Sequence, residues 1–149
     1  MIDKNLIMAK AGKVDAHLRR IEVKRSVKLE EFLGDLDIQE SILFNLQMAV
    51  QNCIDIAAHV ISDEELGVAG STNEMFYILQ ENGYLSPALT EKMVAAVGFR
   101  NLVINEYGKI DLTKVYEIAH KDVDDLAEYL RAIFRKCGIC ETVRKGSGC

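Results

Sequence analysis

Residues 98–111 read GFRNLVINEYGKID, an arginine, two asparagines, a glutamate and a tyrosine set among apolar residues. Arg100 carries a permanent positive charge on a planar fork of donors. Asn101 and Asn105 can donate and accept hydrogen bonds, but neither titrates near neutrality. The stretch has no histidine, so a proton-transfer step here would have no imidazole to use. On a helix, Arg100 and Tyr107 share a face because they are seven residues apart, and Asn101 lies beside them. Asn105, five residues from Arg100, falls about 140° round the helix. One chain alone therefore does not bring Arg100 and Asn105 together; a two-fold dimer or an altered last turn would. An arginine in apolar surroundings is costly unless paired or left at a surface, and Glu106 is the nearest acid in sequence. On spacing alone, Arg100, Asn101 and Glu106 read as a polar seam at a helix end.

The elements that must carry this stretch are helical. Leu6, Ile7, Val14, Leu18 and Ile21 recur at helical spacing from about Asp3, a cap residue, to about Arg25. The far end of that segment holds Arg19, Arg20, Lys24 and Arg25, either a solvated face or a wall facing RNA. Residues 26–34 read as a turn and a short helical piece that Gly34 ends. Asp37 with Glu40 has the form of a capping box, and Ile38, Ile42, Leu46, Ala49, Cys53, Ile56, Ala57 and Val60 then continue a long helix to about Ile61. Asn45, Asn52 and His59 form a polar stripe on it, exposed or set in a helix interface. Ser71 with Glu74 opens a third helix that stops near Gly83. Ser86 followed by Pro87 opens the fourth, which runs towards Tyr107 with Gly108 as its stop. Asp111 caps the last helix, whose apolar face runs from Leu112 to Ile133 and on towards Arg135. The expected fold is all-α, an antiparallel bundle of about five helices over residues 1–136, with a loose tail over 137–149.

Composition narrows the function classes. The chain has 149 residues, a net charge of −5, one proline and no tryptophan. That fits one helical domain and argues against a general nucleic-acid scaffold, because affinity for the phosphate backbone comes mostly from lysine and arginine. No apolar run is long enough to cross a membrane and the start lacks a signal-peptide pattern, so a cytoplasmic protein is expected. Cys137 and Cys140 make one C-x-x-C with Cys149 beyond it, short of the two pairs that structural zinc favours. His17 and His120 have no sequence-near metal-ligand partners, and His59, a single histidine on its helix, is left as the candidate for a ligand or catalyst. No metal and no cofactor are expected.

The stretch resembles the signature of the HEPN superfamily, and specifically of HepT-like toxins paired with MNT-type nucleotidyltransferase antitoxins. That signature is an arginine, four residues, a histidine, one residue and a tyrosine. Arg100, with Asn101 behind it, and Tyr107 match; Asp111 matches an acid that often trails the tyrosine; Asn105 stands where the histidine belongs. The basic first helix, the EEFLGD segment at 30–35 and the long second helix follow the family layout over most of residues 3–135.

The resemblance implies a homodimer with two motifs facing each other in a cleft, and metal-independent RNase chemistry on an RNA substrate. The arginine would steady phosphate charge and the histidine would move a proton as a 2′-hydroxyl attacks. It also implies that an MNT-type antitoxin inactivates the toxin by adding AMP to Tyr107. Asn101 and Asp111 would support the site. Asn105 cannot shuttle a proton, so the expectation is a toxin of a type VII (HEPN/MNT) pair with weak or absent cleavage, attenuated by engineering or by natural divergence. The competing readings are a non-catalytic helical partner that accepts AMP from a nucleotidyltransferase, and a metal-binding module on the cysteines.

Overall fold

Helices account for most of residues 1–140, the part of the chain that this computed structural model describes. They are α1 (Lys4–Lys24), α2 (Leu29–Leu33), α3 (Leu36–Asp63), α4 (Thr72–Glu81), α5 (Pro87–Asn105), α6 (Leu112–Lys121) and α7 (Val123–Cys137), with one 3₁₀ turn at Tyr107–Lys109. The all-α expectation holds, but the count among the described residues is seven rather than five. The short piece after α1 is a helix of its own. The segment expected as one helix from Asp111 to Arg135 is divided at Asp122. That residue keeps right-handed helical angles (φ −79°, ψ −16°), but the Asp125 N–H closes onto the Asp122 carbonyl at 3.0 Å, an i→i+3 bond that tightens the ladder for one turn.

Side-chain caps set most of the helix starts. Asp3 accepts from the Leu6 N–H at 3.1 Å, Ser71 from Glu74 at 3.2 Å, Ser86 from Leu89 at 3.1 Å, and Asp111 from Thr113 at 3.0 Å. The long helix starts two residues earlier than the Asp37–Glu40 pattern suggests. Asp35 is its cap and accepts from the Ile38 N–H at 3.2 Å, which places Asp37 in the first turn. There its charge faces the positive end of the helix dipole. Both acids suit an N-terminus, and sequence alone does not say which of them leaves helical geometry. At the far end of α3, Glu65 takes a left-handed angle (φ 51°) where a glycine is usual, and the Leu66 N–H returns to the Ile61 carbonyl at 3.0 Å.

The centre of the molecule is the antiparallel pair α1 and α3. Asp3 meets Asp63, Lys10 meets Asp55 and His17 meets Asn45, so numbers rise along one helix as they fall along the other. Ile7, Val14, Leu18 and Ile21 of α1 are fully buried, as are Ile42, Ala49, Ile56 and Val60 of α3. Each such aliphatic side chain contributes about 1.5–3 kcal/mol by leaving water. The polar stripe on α3 proves to be an interface feature. Asn45 and Asn52 are buried, and each amide donates back to the carbonyl four residues earlier, at 2.7 and 2.9 Å. From α7, Tyr129 is fully buried and its hydroxyl donates to the Cys53 carbonyl at 2.9 Å. Burial pushes the Tyr129 phenol and the Cys53 thiol well above their ordinary ranges, so both stay neutral. The corner of α1, α2 and α6 is tied by Arg25 donating to the Ala119 carbonyl (3.0 Å) and Tyr116 donating to the Val27 carbonyl (2.7 Å).

Cys137 is the last residue of α7, Gly138 caps the helix in the left-handed region (φ 69°), and Ile139 is buried. Residues 141–149, with Cys149 and most of the expected tail, lie outside the described residues. No helix among the described residues is long and apolar enough to cross a membrane. The cap assignment predicts that Asp35→Ala lowers unfolding stability by about 1 kcal/mol while Asp37→Ala costs less than half of that. Urea titration of both variants is the check.

Candidate functional site

Arg100 sits in the last two turns of α5 and its side chain reaches α3. One terminal nitrogen donates to Gln51 Oε1 at 2.5 Å and the other to Asn101 Oδ1 at 3.0 Å. Gln51 in turn donates through Nε2 to Asp55 Oδ1 at 2.9 Å, and Lys10 Nζ pairs with Asp55 Oδ2 at 3.2 Å. The network runs Asn101–Arg100–Gln51–Asp55–Lys10 and links α5, α3 and α1. Glu106, the nearest acid in sequence, pairs instead with Lys109 at 3.2 Å. Among the described residues no carboxylate forms an ion pair with Arg100. Two neutral amide oxygens therefore orient the guanidinium without cancelling its charge. Its Nε is out of water with no acceptor among the described residues, a cost of about 1–3 kcal/mol that the rest of the network offsets.

The C-terminal end of α5 differs from the sequence expectation. The helix stops at Asn105, Glu106 leaves helical geometry (φ −138°, ψ 46°), and Tyr107 opens the 3₁₀ turn. Tyr107 therefore does not share a helix face with Arg100. The turn presents it to solvent, 51% exposed. Asn101 and Asn105 are exposed, and only Asn101 is joined to Arg100. Asp111 is occupied in capping α6.

The basic residues of α1 fall into two sets. Arg19 pairs with Asp15 at 2.7 Å, and half-buried Arg25 holds the Ala119 carbonyl. Arg20 and Lys24 are exposed and continue a different series: Lys10, Lys13, His17, Arg20 and Lys24 step by three and four residues along one stripe of α1. Contacts from Lys10 and His17 show that this stripe borders the open face of α3. That face carries Phe44 (56% exposed), Met48, Gln51 and Asp55, again at steps of three and four, and Arg100 borders it on the other side. Ile104, near the end of α5, is 47% exposed. Sequence reading missed Lys10, Gln51 and Asp55. The 3–4 spacing of the α1 cations was the available signal; no local pattern marks Gln51 as the partner of Arg100.

A separate cavity of about 420 Å³ lies between α3, α5, α6 and α7, with Leu46, Val50 and Phe99 on its walls. Lys92 and Asp125, paired at 3.4 Å, lie at its edge, and neither Arg100 nor Tyr107 lines it. Among the described residues no group of three or more His, Cys, Asp or Glu could hold a metal ion.

The pattern of a motif arginine on the fifth helix, a tyrosine on the turn after it and a long central third helix can be set against known proteins. The family described as ribonuclease HepT-like matches residues 14–133, nearly the whole bundle. The chain belongs to this HepT-like family. A HepT-like relative from Shewanella oneidensis named mRNA nuclease HepT is 28% identical over 103 residues, covering 69% of this chain and 77% of the relative. A second, tRNA nuclease HepT of Aphanizomenon flos-aquae, is 27% identical over 122 residues, covering 82% and 81%. The HepT-like fold is shared with the structure of a tri-AMPylated Shewanella oneidensis HEPN toxin in complex with MNT antitoxin. The TM-score is 0.81 and the identity 26%, over 89% of this chain and 98% of that one.

Proposed function

We propose that this HepT-like chain is the toxin of a HEPN/MNT toxin–antitoxin pair and acts on RNA as a homodimer, with cleavage weakened by Asn105. The observation that carries the proposal is the charge of Arg100, oriented by Gln51 and Asn101 and left without a carboxylate. A guanidinium held in this way binds a phosphate oxygen and stabilises the extra negative charge of a pentacovalent phosphorus. The exposed apolar residues Ile104, one turn beyond Arg100 on α5, and Phe44, two turns before Gln51 on α3, are the kind of surface that a second copy covers. Covering that surface would remove water from around Arg100 and strengthen its hold on phosphate. The relatives named mRNA nuclease and tRNA nuclease agree on RNA as substrate class and differ on which RNA.

Asn105 is the exposed last residue of α5, and by the motif spacing it takes the position of the family's histidine. An amide there positions by hydrogen bonding but takes up no proton, and general acid–base catalysis is worth about 10²–10⁴-fold. Asn105→His should therefore raise RNA cleavage by about 10²-fold or more, and adding Arg100→Ala should remove the gain. Gel assays on total RNA with the purified proteins read both effects. If Asn105→His brings no gain, Asn105 does not occupy the catalytic slot.

Tyr107 supports a second role for the same chain, as the acceptor of AMP from an MNT-type nucleotidyltransferase. Its side chain is exposed on the 3₁₀ turn that it shares with Lys109, and acceptor chemistry of this kind needs no histidine. Incubation with the cognate enzyme and ATP should add adenylyl groups to peptides that contain Tyr107. Mass spectrometry would show none on Tyr107→Phe. An unmodified Tyr107 in the native chain excludes this role.

A further inference from the structure

We infer that Asp55, on α3, is a positioning residue for Arg100, because it fixes which end of the Gln51 amide faces the guanidinium. The inference rests on the reading of Arg100 as the group that holds phosphate, and adds to it the residue that keeps that group in place.

The direction of the hydrogen bonds carries the inference. Contacts run from Arg100 to Gln51, from Gln51 to Asp55 and from Asp55 to Lys10, at 2.5, 2.9 and 3.2 Å. Both ends of this row are donors only, since neither a guanidinium nor an ammonium has a lone pair to offer. A row with a donor at each end closes only if one member accepts from both sides. Gln51 cannot be that member. Its amide has one oxygen and one NH₂ group, so turning the oxygen to one neighbour turns the NH₂ to the other. Asp55 can. Its Oδ1 accepts from Gln51 Nε2 and its Oδ2 from Lys10 Nζ. The carboxylate thereby holds the Gln51 oxygen towards Arg100. With the amide reversed, two sets of N–H groups would face each other.

The placement fits this role. Gln51 and Asp55 are four residues apart and share a face of α3, while Lys10 reaches across from α1. The side chain of Lys10 is only 23% exposed, so its ammonium stays beside position 55 when the carboxylate is replaced.

Charge and position make opposite demands at Asp55. On a chain of net charge −5, one more acid works against binding of RNA. Loss of that charge in the isosteric Asp55→Asn would, by electrostatics alone, strengthen binding. On the positional account, the Lys10 ammonium takes the single oxygen that remains. The new NH₂ group then faces Gln51, which turns its oxygen to meet it and its own NH₂ to Arg100. The guanidinium loses its acceptor on α3 and keeps Asn101.

The test uses the full-length chain and a short single-stranded RNA, read by fluorescence anisotropy. Asp55→Asn should stay folded, with a melting temperature within a few degrees of native, and bind RNA about tenfold more weakly. Adding Lys10→Met should bring the affinity back to within about threefold of native. With that donor gone, the amide oxygen at position 55 again accepts from Gln51, and the double variant has the native net charge. A folded Asp55→Asn that binds RNA as tightly as the native chain, or more tightly, overturns the positioning role. A double variant as weak as Asp55→Asn overturns the direction of the hydrogen bonds as its cause. Heteronuclear NMR of the Arg100 guanidinium reads the same point without RNA. Its terminal N–H signals should be resolved in the native chain and the double variant, and averaged by free rotation in Asp55→Asn. Resolved signals in Asp55→Asn overturn the inference. A native chain that binds no RNA overturns the underlying reading of Arg100 instead, and the NMR result then decides the role of Asp55 separately.

Discussion

The bond between Arg100 and Gln51 is the constraint on which the candidate site depends. It fixes a cation at the border of α3 by means of an amide, and that choice of partner matters. A carboxylate at the position of Gln51 would hold the arginine more tightly and neutralise it. The only acid in the network, Asp55, stands one residue further along the chain of hydrogen bonds and is itself paired with Lys10. The network thus gives position without cancelling charge, which is what recognition of a phosphate requires.

The rest of the bundle sets that bond in place. The α1–α3 pair gives α3 a long, well-buried back, with Ile42, Ala49, Ile56 and Val60 inside. Its other side remains open between α1 and α5. The same antiparallel pairing sets the register that brings His17 to Asn45 and Lys10 to Asp55. The charged stripe of α1 and the amide that orients Arg100 therefore come to one face through packing of apolar residues on the opposite face. Tyr129, reaching from α7 to the Cys53 carbonyl, ties the last helix to the middle of this frame.

Much of this was legible in the sequence because it is written in local terms. Ser71, Ser86 with Pro87, and Asp111 are caps whose chemistry acts over three residues, and each begins a helix where expected. The choice between Asp35 and Asp37 was not legible, since either acid satisfies the same local rule. The break at Asp122 was also hidden: the apolar periodicity runs through it and the backbone stays nearly helical. The motif positions were legible as residue types through family resemblance, but their geometry was not. Tyr107 left the helix because α5 ends at Asn105, and Arg100 found Gln51, a contact between residues 49 positions apart that no spacing rule encodes. His17 has no sequence-near partner, and its hydrogen bond with Asn45 depends on the tertiary register of α1 on α3.

What the candidate site stands on is a guanidinium positioned by an amide oxygen rather than neutralised by a carboxylate. Binding of a short single-stranded RNA to the full-length chain, read by fluorescence anisotropy for the native protein and for Gln51→Glu, decides the point. The expected result is an affinity lowered about tenfold in Gln51→Glu, because the new carboxylate pairs with Arg100. A folded Gln51→Glu variant that binds RNA as tightly as the native protein would contradict it.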